Sequence, residues 1–226
     1  MRTEQINHSR LSSSNFYQLI KCFAIDMSAT QTAKLLCINR NTVNRYFNEI
    51  RTTIASHYVN NVMFTDSICE VDESYFGAKR VRGRAGRGAL GKVIVFGIIQ
   101  RNGLVYTEVV SDTKADTLIP IIQLHCAPSC VIYSDEWRSY ASLKKLGYIH
   151  KRIKHSSNIF VEGTVHTNTI ESYWSYCKSR LSKFHGMNKA KFHQHTKECE
   201  YRFNHRKEDI YKSLIKLLSD HPLFSK

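Results

Sequence analysis

The chain has 226 residues, with 33 Lys and Arg against 19 Asp and Glu, so its formal net charge is +14 with His neutral. This length is enough for one large domain with a small companion, and it can bury a hydrophobic core without disulfides. So large a positive charge favours a polyanionic partner, most commonly nucleic acid, and the alternative is a basic soluble protein without such a partner.

Two further features exclude other classes of protein. The first ten residues, MRTEQINHSR, lack an apolar signal region, and no run of about 18 apolar residues occurs, so we expect neither export nor a membrane partner. The seven cysteines form no C-x-x-C pair and no zinc-binding pattern with two halves. They are typical of reduced thiols in a cytoplasmic protein.

The amino-terminal part predicts helices. Apolar residues recur at helical spacing over residues 15–56, with a short helix from about Thr30 to Leu36 and a longer one from Arg40. This arrangement predicts a helix-turn-helix, whose second helix would lie in the major groove of DNA. The residues that would contact DNA from it are Arg40, Asn41, Thr42, Asn44 and Arg45. The alternative is a helical hairpin whose polar face is simply solvated.

From Ser67 onward the pattern changes to strands. We predict strands over 68–76, 92–100 and 103–111, the last two joined as a hairpin. A helix over about 114–125, a strand over 130–135, a helix over 137–146, a possible strand over 149–155 and a long helix over about 167–183 follow. Three strands followed by alternating helices and strands predict an α/β fold, with a mixed sheet flanked by helices after a small all-α domain.

A glycine-rich basic segment, GAKRVRGRAGRGALGK (77–92), connects the first two predicted strands; we call it the basic loop. Its GRGALGK part fits the outline of a nucleotide-binding P-loop, but Val93 stands where Ser or Thr is needed and a strand follows instead of a helix. The loop contains no acid, and we expect its cations to neutralise DNA phosphates, the alternative being a loop that touches nothing. These cations are Lys79, Arg80, Arg82, Arg84, Arg87 and Lys92.

Three acids stand out against the basic background. Asp72 lies inside the first predicted strand, Asp135 closes the fourth, and Glu171 lies on the long helix. A carboxylate in an apolar strand costs several kcal/mol unless a cation compensates it. Mg²⁺ prefers such hard oxygen ligands, so the set predicts a metal site, although any one of the acids taken alone is more often a helix cap or half of a salt bridge.

Two polar residues share the helical face of Glu171. Asn168 lies one turn before it and Lys178 two turns after it, and we expect Lys178 to contact a DNA phosphate. Trp174 is also one turn from Glu171, and we interpret it as a core residue in preference to a base-stacking one. Glu73 points to the face of its strand opposite Asp72.

Five motifs, taken in their order along the chain, resemble those of a known protein family. They are VDESYFG (71–77), the basic loop after it, YSDEWRSY (133–140), HTNTIESYWSYCKSRL (166–181) and YRFNHR (201–206). Together with the gap of 35 residues between Asp135 and Glu171, they are similar to the ISXO-like group of DDE transposases of bacterial insertion sequences. The resemblance covers roughly residues 65–206 and implies a ribonuclease H-like catalytic domain, shared with retroviral integrases. We therefore expect a helix-turn-helix domain over 1–60, a catalytic domain over 65–206 and a helical tail over 207–226.

The resemblance also implies an activity. Asp72, Asp135 and Glu171 would hold Mg²⁺, for which Mn²⁺ would substitute, with Lys178 beside them. Asn168 is the alternative third ligand, or a group that orients Glu171. The enzyme would hydrolyse the phosphodiester at the end of its element and join the freed 3′-hydroxyl to target DNA.

The implied partner is double-stranded DNA, both the terminal inverted repeats of the element and the target. Joining two ends implies at least a dimer, in the bacterial cytoplasm and associated with the nucleoid. Two rival functions are a non-catalytic helix-turn-helix regulator derived from a transposase, and a ribonuclease H-like nuclease that cleaves without joining. The intact acids argue against the regulator, and the amino-terminal DNA reader argues against a simple nuclease.

Overall fold

The structure is a computed structural model, which describes residues 11–58, 63–77, 92–135, 138–153, 168–184 and 187–223. The chain divides into two compact units. The first comprises residues 1–60, 183–187 and 197–226, and the second comprises residues 61–182 and 188–196.

Seven helices and five strands form the described part of the chain. The helices are α1 (Ser13–Ala24), α2 (Ala29–Leu36), α3 (Arg40–His57), α4 (Ala115–His125), α5 (Asn168–Leu181), α6 (Phe192–Asn204) and α7 (Ile210–Asp220). The strands are β1 (Ile68–Phe76), β2 (Val93–Gln100), β3 (Val105–Val110), β4 (Val131–Ser134) and β5 (Ile149–Arg152). All five predicted strands are confirmed, with ends that differ by at most three residues.

Side-chain caps divide the amino-terminal helices. Ser28 and Gln31 form a capping box at the start of α2, and the side chain of Asn39 accepts a hydrogen bond from the Asn41 N–H at 2.8 Å to open α3. Cys37 closes α2 in the left-handed conformation (φ 52°), which turns the chain sharply toward α3. These local signals produce the predicted pair of helices joined by a tight turn.

The first unit is held together by apolar residues of α1, α3 and α7 and by a buried ion network. Glu198 of α6 accepts hydrogen bonds from Arg51 of α3 at 2.7 Å and from Arg202 at 2.9 Å. Tyr201, Leu214 and Leu218 belong to the same core cluster as the apolar faces of α1 and α3. Residues 197–223 therefore pack with the amino-terminal helices, whereas the domain boundaries predicted from the sequence divide them between the catalytic domain and a separate tail.

The second unit is built on a mixed sheet in the order β3-β2-β1-β4-β5. The first three strands are antiparallel neighbours, while β4 runs parallel to both β1 and β5. Val71, Phe96 and Ile132 share a core cluster with Leu118 and Ile122 of α4. The other face receives α5, whose Trp174 and Ile170 lie against Gly97 of β2. The prediction of an α/β fold with a mixed sheet flanked by helices is confirmed.

One predicted helix is wrong. Residues 138–140 form a single 3₁₀ turn and residues 141–147 form further turns, where sequence analysis predicted a helix over 137–146. Two side chains of this segment form contacts with distant parts of the chain. Tyr140 is fully buried and donates a hydrogen bond to Glu73, and Ser139 donates one to the Thr113 carbonyl at 2.5 Å. These tertiary contacts override the local helical pattern. Among the described residues, no helix has the length and apolar character needed to span a membrane.

Candidate active site

Asp72 and Asp135 lie at the same end of the sheet, on neighbouring strands. In the parallel pairing of β1 with β4, Glu70 is opposite Tyr133, which is the last paired position. Asp72 and Asp135 each follow two residues later, Asp72 within β1 and Asp135 directly after β4. The strand register thus brings together two acids that are separated by 62 intervening residues in the chain.

The Asp72 carboxyl group is perturbed by its surroundings. Burial raises its pKa to about 6, and the negative charges of Asp135 and Glu171 add to the rise. Hydrogen bonds from the backbone of Glu73 and from Trp174 act in the opposite direction. The structure therefore brings Asp135 and Glu171 close enough to Asp72 for their charges to raise its pKa.

Helix α5 presents the remaining predicted residues. Glu171 and Lys178 are exposed on α5, and their spacing of seven residues places them on one helical face. Asn168 begins the helix, but its side chain lies outside the described part of the structure. The structure thus places Glu171 and Lys178 where the sequence predicts and leaves the role of the Asn168 amide as a prediction.

The carboxylates fit a hard divalent cation, although they do not form a closed coordination shell. In the described ranges no three His, Cys, Asp or Glu side chains are grouped closely enough to hold one metal ion between them. Mg²⁺ usually keeps several waters and uses only one or two protein carboxylates with substrate phosphates. Burial and the charges of Asp135 and Glu171 raise the Asp72 pKa, and a bound cation would offset both effects, so the donor set fits Mg²⁺ or Mn²⁺.

Trp174 packs under the candidate site. It is 4% exposed, and its indole N–H donates a hydrogen bond to Asp72 Oδ2 at 3.0 Å. A Cβ atom at Gly97 would lie 2.7 Å from the Trp174 ring, so only glycine leaves room for it there. The burial of Trp174 agrees with its interpretation as a core residue. Its hydrogen bond to Asp72 and the space that Gly97 leaves for its ring could not be predicted from the sequence.

Glu73 faces the opposite side of the sheet from Asp72, as the strand alternation predicts. It accepts a hydrogen bond from the fully buried Tyr140 hydroxyl group. Burial and the neighbouring Glu73 charge both raise the pKa of Tyr140, which keeps the phenol protonated as a donor. This bond ties the segment after Asp135 to the strand that carries Asp72.

Helix α3 carries the candidate DNA-reading surface in the first unit. Arg40, Asn41 and Arg45 are exposed, and Thr42 and Asn44 are half-buried. The opposite face of the helix is buried in the core of this unit, through Val43, Tyr46, Phe47 and Ile50. The polar face is therefore the one that the fold leaves accessible.

The basic loop is described only at its end. Lys79, Arg80, Arg82, Arg84 and Arg87 lie outside the described residues. Lys92 is half-buried and directly precedes β2. The DNA-binding role of these cations stays a prediction.

A comparison with known protein families identifies the class of protein to which this chain belongs. Residues 66–204 match the family model of the ISXO2-like transposase domain. This match covers more than half of the chain. The chain belongs to this family.

Individual known proteins are also similar. A stretch of 114 residues is 39% identical to an uncharacterized transposase-like protein of Haemophilus influenzae, covering 50% of this chain and 92% of that protein. Among solved structures, the catalytic core domain of BIV integrase is 15% identical with a TM-score of 0.42, over 69% of this chain and 97% of that one. A pre-cleavage Mos1 transpososome is 12% identical with a TM-score of 0.29, over 98% of this chain and 83% of that one.

Proposed function

We propose that this protein is an active transposase, which binds the ends of its insertion sequence and catalyses metal-dependent DNA strand cleavage and strand transfer. The observation that carries the proposal is the raised pKa of Asp72, which arises from burial together with the charges of Asp135 and Glu171. A buried carboxylate with two further acids beside it is costly unless a cation compensates it, so its position favours a metal-binding role. Membership of the ISXO2-like family supports the same activity.

Each residue of the site has a proposed role. Asp72, Asp135 and Glu171 would hold Mg²⁺, with Asn168 as the alternative third ligand. When bound, the metal would activate the attacking hydroxyl group and stabilise the leaving oxygen of the phosphodiester. The exposed Lys178 ammonium would bind a phosphate of the scissile strand and hold it against the acids.

The same chemistry serves both steps. Water attacks the phosphodiester at the element end in the first step, and the freed 3′-hydroxyl group attacks target DNA in the second. Both are displacements at phosphorus, so one set of acids is sufficient and no covalent bond to the protein is required. Two element ends have to be joined, so we propose at least a dimer in the complex with DNA.

DNA recognition is proposed for α3 and the basic loop. The exposed guanidinium and amide groups of Arg40, Asn41 and Arg45 suit base edges and phosphates in a major groove. The cations of the basic loop would neutralise backbone phosphates without reading sequence. Binding to the element end is then expected to depend on both, and binding to other DNA mainly on the loop.

The deciding experiment incubates the purified protein with a labelled element end, a plasmid target and Mg²⁺ or Mn²⁺. Joined products with the wild type and none with Asp135→Asn support a transposase. Specific binding without cleavage favours the regulator, and cleavage without joined product favours the nuclease. Lys144→Ala is a matched control, since Lys144 is an exposed residue of the second unit with no proposed role.

A further inference from the structure

Glu70 is a charged side chain buried completely inside β1. Its exposed fraction is 0%, and it precedes Asp72 by two residues, so both side chains point to the sheet face that carries α5. A buried carboxylate costs several kcal/mol unless each oxygen finds partners. The sequence alone indicates no role for Glu70.

The partners of Glu70 come from two different elements. Its Oε1 accepts a hydrogen bond from Arg101 Nε at 2.8 Å, in the turn between β2 and β3. Its Oε2 accepts hydrogen bonds from the backbone N–H groups of Thr169 at 3.1 Å and Ile170 at 3.0 Å. The Arg101 guanidinium also lies over the Tyr133 ring, 4.5 Å from its centroid.

The two N–H groups belong to the first turn of α5. Such groups have no partner within their own helix, and a negative charge beside them is favourable for the helix dipole. A capping residue normally precedes its helix in the chain, whereas Glu70 comes from a strand about 100 residues earlier. This carboxylate therefore connects the strand that carries Asp72 to the start of the helix that carries Glu171.

We infer that Glu70 is a positioning residue, which fixes the first turn of α5 so that Glu171 lies beside Asp72. Glu171 directly follows Ile170, whose N–H is held by Glu70. A displacement of about 1 Å at a catalytic group can lower a rate by about 100-fold, so anchoring this turn matters for chemistry as well as for stability. The inference rests on the proposed function, since it names the residue that holds the proposed metal ligands in register.

Arg101 is the cationic partner of the Glu70 carboxyl group, at 2.8 Å. Removing the guanidinium would leave the Glu70 carboxylate buried with only two backbone donors. Breaking one partner of a buried ion pair is usually more disruptive than replacing both. Arg101 thus supports α5 through Glu70.

The test compares Glu70→Ala, Glu70→Gln and a control, Glu108→Gln. Glu108 is a partly buried carboxylate of β3 in the same sheet, which accepts a hydrogen bond from the Tyr106 hydroxyl group at 2.8 Å. For each variant we would measure the Mn²⁺ dissociation constant, the single-turnover cleavage rate at a temperature well below unfolding, and amide hydrogen exchange of residues 168–171. Glu70→Gln keeps an oxygen that can accept from the two N–H groups, so it remains informative if Glu70→Ala does not fold.

We expect Glu70→Ala to weaken Mn²⁺ binding and slow cleavage by at least about 10-fold, with faster exchange in the first turn of α5. Glu70→Gln should lie between Glu70→Ala and the wild type, and Glu108→Gln should match the wild type. A purely structural role predicts a lower Tm with unchanged Mn²⁺ affinity and cleavage rate, and that result would overturn the inference.

A double-mutant cycle separates this inference from the proposed function. If Glu70 acts through Glu171, the losses in Mn²⁺ affinity of Glu70→Gln and Glu171→Gln should be less than additive. Additive losses would contradict the inference while the function stands. A wild-type protein that neither binds Mn²⁺ nor cleaves DNA would contradict the proposed function, whereas unchanged exchange at residues 168–171 in Glu70→Ala contradicts the capping role alone.

Discussion

The indole N–H of Trp174 donates a hydrogen bond to Oδ2 of Asp72 across 3.0 Å, from a helix to a strand 102 residues earlier in the chain. The backbone of Glu73 provides a second hydrogen bond to the same carboxyl group. Trp174 can approach so closely because its ring lies over Gly97, which is opposite Asp72 in the pairing of β1 with β2. The position of the first acid of the site is thus determined by an aromatic residue and a glycine.

Gly97→Ala is expected to impair the candidate active site by displacing the Trp174 ring. The added methyl group would lie 2.7 Å from the Trp174 ring, so the ring has to move and with it the bond to Asp72. We expect a loss of unfolding free energy of roughly 1–3 kcal/mol and a cleavage rate lower by about 10-fold or more. Chemical denaturation and single-turnover cleavage would measure the two effects.

Gly103→Ala is the matched control for that substitution. The atoms nearest to a methyl group at Gly103 belong to the side chain of Gln100, whose flexible end can move aside. Equal losses of cleavage activity in the Gly97 and Gly103 variants would mean that the packing of Trp174 does not control the site. Trp174→Phe, which removes the N–H and keeps an aromatic ring, should lower the cleavage rate in the same direction as Gly97→Ala.

Asp72→Asn is expected to stabilise the metal-free protein above pH 6. The folded-state pKa of Asp72 is raised from 3.8 to about 6, so the folded protein binds more protons between these values and its stability falls as pH rises through that window. The asparagine amide avoids this cost and can still accept from Trp174. We expect a gain of roughly 2 kcal/mol at pH 7 that disappears below about pH 4.

Thermal unfolding across pH, with and without Mg²⁺, would measure this effect. Added Mg²⁺ should raise the Tm of the wild type and leave Asp72→Asn almost unchanged, because binding to the folded state alone is stabilising. Equal responses of the two proteins to Mg²⁺ would place the metal away from Asp72. A wild-type stability that does not fall between pH 4 and 6 would contradict the burial of an ionised Asp72.

The third metal ligand can be assigned by comparing two variants of α5. Glu171→Gln should reduce cleavage by about 1000-fold or more, because a neutral amide oxygen replaces an anionic ligand of Mg²⁺. Asn168→Ala should cause a smaller loss, if Asn168 only orients Glu171. Single-turnover cleavage in Mg²⁺ and Mn²⁺ would measure both, and the reverse order of effects would assign the ligand to Asn168.

The two proposed DNA-binding surfaces should respond differently to substitution. Arg40→Ala and Arg45→Ala should each weaken binding to the element end by about 10-fold, with a smaller effect on unrelated DNA. The triple replacement of Arg82, Arg84 and Arg87 by Ala should weaken binding to all DNA and reduce the slope of log affinity against log salt by roughly 2–3.

Binding titrations over a range of salt concentrations would measure these effects, with Lys144→Ala as the surface control. Metal binding should be unchanged in all of these variants. An unchanged affinity of the triple variant would mean that the basic loop does not contact DNA. An equal loss for element ends and unrelated DNA in the α3 variants would mean that α3 does not read sequence.

Much of the local structure could be predicted from the sequence. Strand β1 begins and ends at the predicted residues, and α3 begins at Arg40, because alternation and the Asn39 cap are local signals. The predicted helix over 137–146 is wrong because Tyr140 and Ser139 bond to Glu73 and Thr113, which are distant in the chain. Local periodicity carries no information about such contacts.

The family of the protein could be predicted from the sequence, because the ordered motifs, the net charge and the spacing of the candidate acids Asp72, Asp135 and Glu171 are features of the chain alone. The hydrogen bonds and packing contacts around these acids are seen only in the tertiary structure. Glu70 caps α5 across about 100 residues, Trp174 reaches Asp72, and Gly97 leaves room for the Trp174 ring. The physical reason is that strand register and helix docking bring distant residues within hydrogen-bonding distance, and neither can be read from a local pattern.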